Sequence, residues 1–203
     1  MLVAPLCWSC GEVARRGEPL CRRCRLAMRR LAAEPLLLSG VSVWAPVAYS
    51  GPARDLVRAL KWSGATRVAD PMAAQIAANA PPGMFDGVRL VPVPLHPRRL
   101  RSRGYNQAAV IAEALSRRTG SAVFDCLARS GAAATQVGRH RAERRTGPAG
   151  SIAVRAGRLP PGRLVLVDDV VTTGATVGAC AAVLRARGAL EIAAVAFART
   201  LGR

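Results

Sequence analysis

Lysine is almost missing from this 203-residue chain: Lys61 is its only lysine, and the rest of its 30 basic residues are arginines. Acidic residues number only 12, which leaves a net charge of +18. Arginine binds phosphate bidentately and keeps its charge when partly buried. The balance therefore points to a highly negative partner: nucleic acid, pyrophosphate, or both. Aromatics make up only 4% of the chain, so base stacking is not expected as the main mode of nucleic-acid binding. No apolar run reaches the length of a membrane span, so no membrane insertion is expected. The N-terminal MLVAPLCWSCGEVARRG has too short an apolar part, and charges on the wrong side, for a secretory signal. A cytoplasmic location is the expectation, and there a disulfide framework is not expected.

What is present is most concentrated in Leu164–Thr176, LVLVDDVVTTGAT. A short apolar run bounded by polar residues predicts a buried parallel strand. Asp168 and Asp169 follow it, then Thr172, Thr173, Gly174, Ala175 and Thr176, then a helical pattern to about Arg187. The first N–H groups of a helix have no intrahelical partner and, with the helix dipole, favour an anion such as phosphate. Gly174 permits close backbone approach, and the threonine hydroxyls add hydrogen bonds. The paired carboxylates suit a neighbouring polyol or a cation. Adjacent carboxylates repel, which makes them a poor choice for a merely structural corner. A phosphate cradle beside a diol clamp describes a ribose 5-phosphate site. The loop resembles the signature by which type I phosphoribosyltransferases bind 5-phosphoribosyl-1-pyrophosphate (PRPP).

The first thirty residues hold Cys7-x2-Cys10 and Cys21-x2-Cys24. Four thiolates at this spacing can meet around one tetrahedral zinc, in a closed and therefore structural site. A redox CxxC is the weaker alternative, because neither pair sits in a βαβ context. Metal binding would supply the folding energy of so small a segment. Its arginine shell, from Arg15 to Arg30, offsets the charge of the site, touches a phosphate backbone, or is simply solvated. Cys126 and Cys180 fall in apolar patterns and read as core residues.

The middle of the chain alternates strand and helix patterns. Residues 41–49 read as a strand, about Ala53–Lys61 and Ala69–Asn79 as helices, and Val88–Pro94 as a second parallel strand. HPRRLRSRGYNQ follows as a polar loop, then a helix over Ala108–Arg118. Ala122–Leu127 reads as a third strand and Glu191–Arg199 as the last. Loops at the carboxyl ends of parallel strands gather at one edge of the sheet. The Arg103-Gly104 loop, with Arg98, Arg99 and Arg101, should then face the Asp168–Thr176 loop and suit a pyrophosphate. A solvated basic loop is the alternative. Lys61 is expected to be a helix C-terminal cation rather than a substrate group. Residues 128–162 lack hydrophobic periodicity and are expected to form a lid.

Together these pieces resemble the ComF family of competence and GntX-like phosphoribosyltransferase relatives. The resemblance rests on the double CxxC, YSGPARDLVRALKWSG (49–64), VPVPLHPRRLRSRGYNQ (91–107), the lid and LVLVDDVVTTGAT (164–176). It implies an α/β fold, with a type I phosphoribosyltransferase-like parallel sheet flanked by helices over 40–203 and a small four-cysteine zinc finger over 1–35. It implies that Asp168 and Asp169 hold the ribose hydroxyls, Thr172 to Thr176 the 5-phosphate, and Arg103 and Gly104 the pyrophosphate. Cys7, Cys10, Cys21 and Cys24 would hold structural zinc, and Mg2+ would accompany PRPP. The family's role implies a link to DNA uptake, and two readings stay open: a Mg2+-dependent phosphoribosyltransferase, or a non-catalytic module that handles single-stranded DNA or partners a DNA-translocating helicase. The lid departs from the family pattern at Gly138-Arg139, Gly147 and Ile152. The residues offer no obvious general base; His140 stands as a candidate by elimination, since His96 falls in the pyrophosphate loop.

Overall fold

A computed structural model of the chain describes residues 5–130, 152–158 and 162–201. After a short helix α1 (Arg22–Leu26) come strands β1 (Leu36–Leu38), β2 (Val41–Trp44) and β3 (Val47–Ala48), then helices α2 (Gly51–Trp62) and α3 (Ala69–Asn79). Strand β4 (Arg89–Pro92) leads to α4 (Pro97–Arg103) and α5 (Gln107–Thr119). Short strands β5 (Leu127–Arg129) and β6 (Ile152–Val154) precede β7 (Arg163–Val171), α6 (Ala175–Arg185) and β8 (Glu191–Arg199).

The main sheet has the order β1-β2-β8-β7-β4, with β3 also pairing β8. Only β1 runs antiparallel; β2, β3, β8, β7 and β4 are parallel to their neighbours. Strand β7 shows why a continuous apolar run means burial on both faces. Leu164 and Leu166 join one buried cluster with Val177, Cys180 and Leu184 of α6. Val165 and Val167 join the other, with Leu60 of α2, Ile76 of α3 and Ile111 of α5. The molecule is thus an α/β sheet covered by α6 on one face and by α2, α3 and α5 on the other. Cys126 and Cys180 are fully buried, as their apolar patterns predict.

Three expectations change. The predicted strand over 41–49 is two strands, because Ala45-Pro46 interrupts the ladder. The basic loop after β4 contains a helix, α4. Its N-terminus is capped by His96, whose Nδ1 accepts from the N–H of Arg98, and Gly104 closes it in the left-handed conformation at φ 83°. The predicted third core strand over Ala122–Leu127 is reduced to one bridge between Val123 and Leu90. The N–H of Cys126 turns back onto the carbonyl of Phe124, which diverts the chain from the sheet, and β5 then pairs antiparallel with β6 in a separate ribbon. This ribbon is the described base of the expected lid. Gln136, Gly138, Arg139, His140 and Gly147 lie outside the described residues.

The cysteine-bearing segment is not a separate bead. Leu20, Cys24 and Met28 belong to the same buried cluster as Leu56 and Phe197. Ser9 Oγ donates to Asp55 Oδ2 of α2 at 2.7 Å, and Arg30 donates to Asn79 Oδ1 of α3 at 2.8 Å.

Candidate functional site

Strand pleating sends neighbouring side chains to opposite faces, and this separates the two aspartates. Asp169 turns toward α2 and is 2% exposed. The ammonium of Lys61, in the last turn of α2, lies 2.6 Å from its Oδ2. Lys61 is therefore more than a helix-end cation: it neutralises the buried carboxylate at the end of the central strand. Asp168 turns to the other side and lines a hollow of about 60 Å³ with Thr172–Val177. Burial, and then the charge of Asp169, push the Asp168 carboxyl well above the usual carboxylate range, against the pull of the Asp169 N–H and of Lys61. That N–H donates to Asp168 Oδ1 at 2.8 Å.

The hollow is built by the turn between β7 and α6. Gly174 caps α6 at φ 79°, a conformation that strains any side-chain-bearing residue. Thr172 and Thr173 are exposed, and Thr173 Oγ1 accepts from the N–H of Ala175 at 3.4 Å. The β1–β2 turn roofs this loop. A Cβ on Gly174 would fall 2.7 Å from Leu38 Cβ, and one on Gly178 would fall 2.7 Å from Ser39 Cβ. Ser39 Oγ donates to the carbonyl of Thr173 at 3.3 Å, and Arg185 of α6 donates to the carbonyl of Gly40 at 3.0 Å. Sequence reasoning missed this buttress. The available signal was Gly178, a glycine inside an otherwise Ala/Val/Leu-rich helix.

A second cluster of candidate residues stands at the corner between β4 and α5. Asn106 caps α5 by accepting from the N–H of Ala108, and its amide donates to the carbonyl of Val93 at 3.0 Å, tying the corner to the end of β4. The Tyr105 hydroxyl donates to the carbonyl of Leu60, tying the corner to α2. Arg103 donates to Gln107 Oε1, and its guanidinium lies 5.4 Å from the ring centroid of Trp62. Lys61, Trp62, Arg98, Arg99, Ser102 and Arg103 line a cleft of about 300 Å³. Lys61 belongs to this cleft and touches Asp169, so it joins the arginine corner to the aspartate strand. None of Arg98, Arg99 and Arg103 ion-pairs with a carboxylate among the described residues.

The four N-terminal cysteines converge as the spacing predicts. Their Sγ atoms all lie within 4.8 Å of one another. Cys7 and Cys10 sit on a turn closed by Gly11 at φ 75°, and Cys21 and Cys24 on the first turn of α1. Burial pushes the Cys7 thiol up, but backbone N–H groups at Cys21, Cys10 and Ser9 outweigh it and bring it down to about 6. Donors gathered on one sulfur favour a thiolate, and an all-sulfur donor set suits a soft tetrahedral metal.

These features define an α/β protein with a metal-competent cysteine cluster and a cationic edge at the carboxyl ends of its parallel strands. No protein-family model matches the chain. It is 30% identical to the DNA utilization protein YhgH of Salmonella typhimurium, over 97% of this chain and 91% of that one. It is 37% identical to competence protein F of Haemophilus influenzae over 54% of this chain and 49% of that one. With competence protein ComFC of Streptococcus pneumoniae it shares 26% over 92% and 84% of the two chains. The chain belongs to the ComF family, whose named members link it to competence and DNA utilization. No helix among the described residues is long and apolar enough to cross a membrane.

Proposed function

We propose that this protein binds PRPP, or a related ribose 5-phosphate ligand, and transfers the phosphoribosyl group with release of pyrophosphate, in the service of DNA uptake. The observation that supports it is Lys61, which lines the arginine cleft and ion-pairs with Asp169, the strand neighbour of the Asp168 that lines the hollow. In this reading Thr172–Thr176 hold the 5-phosphate through hydroxyls and helix N–H groups, and Asp168 accepts from the ribose hydroxyls. Asp169 holds Lys61 at the ribose side of the cleft. Arg103 and Gly104, with Arg98 and Arg99, receive the pyrophosphate and stabilise its charge as the glycosidic bond breaks. Mg2+, bound to the pyrophosphate, would supply further charge neutralisation. Zinc in the cysteine cluster would be structural, since four thiolates leave no open position.

Calorimetry with PRPP and Mg2+ tests the reading. Saturable binding that raises the unfolding temperature is expected, by the linkage of ligand binding to folding. Absence of PRPP binding with Mg2+ present overturns it. A second reading, handling of single-stranded DNA on the same fold, is favoured by the charge of +18 together with the names of the relatives. Its affinity should fall steeply with salt and show little sequence preference. No binding near 50 mM salt, roughly the low end for such tests, overturns it.

A further inference from the structure

Two of the chain's three tryptophans are on the surface, and they line one groove. Trp8, between the first pair of cysteines, is 46% exposed, and Trp62, at the end of α2, is 75% exposed; Trp44 is buried. Indole rings are expensive to leave in water, so two on one surface call for an occupant. The groove, of about 330 Å³, is lined by Trp8, Asp55, Arg58, Ala59, Trp62 and Ser63. Asp55, Arg58, Ala59 and Trp62 are spaced to share one face of α2. Ala59, which is buried, also lines the groove. Asp55 is engaged by Ser9 of the cysteine segment at 2.7 Å, which fixes that segment against α2. Trp62 also lines the neighbouring arginine cleft, where Arg103 packs against its ring. Arg58, Arg98 and Arg99 have no carboxylate ion pair among the described residues.

We propose that the Trp8–Trp62 groove is a base-stacking site for single-stranded nucleic acid, with the strand's phosphates running toward Arg58 and the arginines of α4. The proposal rests on the DNA-handling reading and assigns it a place and a mode. Flat aromatic faces beside unpaired guanidinium groups match a ligand that alternates π-faces with phosphates. A duplex hides its base faces and cannot use the tryptophans. Low aromatic content argues against stacking as the main mode of binding; the two exposed rings sharing one groove are where stacking would occur.

The test titrates the full-length, metal-loaded protein with oligo(dT), with an abasic phosphodiester of the same length and with a duplex, at one fixed salt concentration. Quenching of the tryptophan fluorescence by oligo(dT) is expected, with roughly tenfold tighter binding than the abasic strand. Trp62→Ala and Trp8→Ala should each weaken oligo(dT) binding by roughly tenfold, and Trp8→Ala, which is away from the arginine cleft, should leave abasic binding unchanged. Trp62→Phe should recover most of the loss, which separates stacking from a folding defect. If wild type binds no oligonucleotide, the DNA-handling reading itself fails and the proposal with it. If wild type binds oligo(dT) and the abasic strand equally, without quenching, DNA handling stands and the stacking site is overturned. Duplex binding as tight as single-strand binding overturns it as well.

Discussion

The loops that follow the two neighbouring strands β4 and β7 are made on opposite plans. The β7–α6 loop carries no cation from Thr172 to Thr176; its hollow is shaped by Gly174, backbone groups and hydroxyls, and is clamped by Leu38 and Ser39. The β4–α5 corner carries Arg98, Arg99, Arg101 and Arg103 on a seven-residue helix, with the first three exposed. One loop offers shape and the other offers charge. Shape fails sterically and is indifferent to salt. Charge fails gradually and is screened, because exposed groups interact through high-dielectric solvent. Lys61, which links the two, should fail in both ways.

The largest effect is expected at that link. Lys61→Ala leaves the Asp169 carboxylate buried without its counter-ion and should cost about 3 kcal/mol, measured by urea unfolding. Replacing both partners, Lys61→Met with Asp169→Leu, should restore most of the stability but not PRPP binding. A neutral single mutant would mean that the two loops are independent.

Gly178→Ala tests the shape side. Its Cβ would meet Ser39 Cβ at 2.7 Å, so the β1–β2 turn must shift or the hollow must open. A stability loss of about 1–3 kcal/mol is expected, with weakened binding of inorganic phosphate that lowering the salt does not rescue. Rescue at low salt would show that the hollow works by charge after all.

Asp168→Asn should weaken PRPP by about tenfold and spare inorganic phosphate, since a charge-assisted hydrogen bond contributes about 1.5–3 kcal/mol. Its pH dependence has a definite sign. The Asp168 carboxyl is held above its ordinary value, so the free protein keeps the proton further up the pH scale than the unfolded chain does. The stability this contributes is present at low pH and falls as pH rises from the unfolded value through the folded one. Ribose binding to the carboxylate should strengthen over the same rise. The ligand's own phosphates titrate too, so the diagnostic is the difference between wild type and Asp168→Asn. Identical pH profiles for the two would remove Asp168 from the ribose.

The smallest effect is expected on the charge side. Arg98→Ala with Arg99→Ala should lower oligonucleotide affinity modestly and reduce the slope of log affinity against log salt by about two units. An unchanged slope would mean that these guanidinium groups do not meet phosphates.

The parallel strands and covering helices were legible because their signals are local and repetitive. The helix predicted over Ala69–Asn79 and the strand over Glu191–Arg199 keep their bounds. The cysteine cluster was legible because ligand spacing survives without any knowledge of packing. What stayed hidden was mostly non-local. The splitting of Asp168 from Asp169 follows from the pleat, yet their adjacency reads as a single clamp. The role of Lys61 depends on a contact between residues 61 and 169. Strand β1 is a three-residue edge with Leu36 and Leu37 exposed, too short for a periodic signal, and its turn is what roofs the hollow beside Asp168. The helix α4 hid behind its charge, since a run of arginines reads as a polar loop; Pro97 and Gly104 were its start and stop signals.

Helix α2 behaves as a beam loaded at two points. Near its start Asp55 and Leu56 meet the cysteine segment, and at its end stand Lys61 and Trp62. Twelve residues of helix at about 1.5 Å each carry any displacement at one end to the other as a rigid rod does. A metal seated in the cysteine cluster and an anion seated in the cleft then draw on one mechanical element. Thermodynamic reciprocity requires that whatever factor metal loading lends to ligand affinity, ligand lends back to metal affinity. If metal loading tightens PRPP binding, so that a metal-stripped chain binds PRPP more weakly, then zinc affinity, measured by equilibrium competition with a chelator, should rise by the same factor when PRPP and Mg2+ saturate the protein. The cysteine cluster, far from the cleft in sequence, would in this sense be a tuning weight on the instrument as well as a stand beneath it.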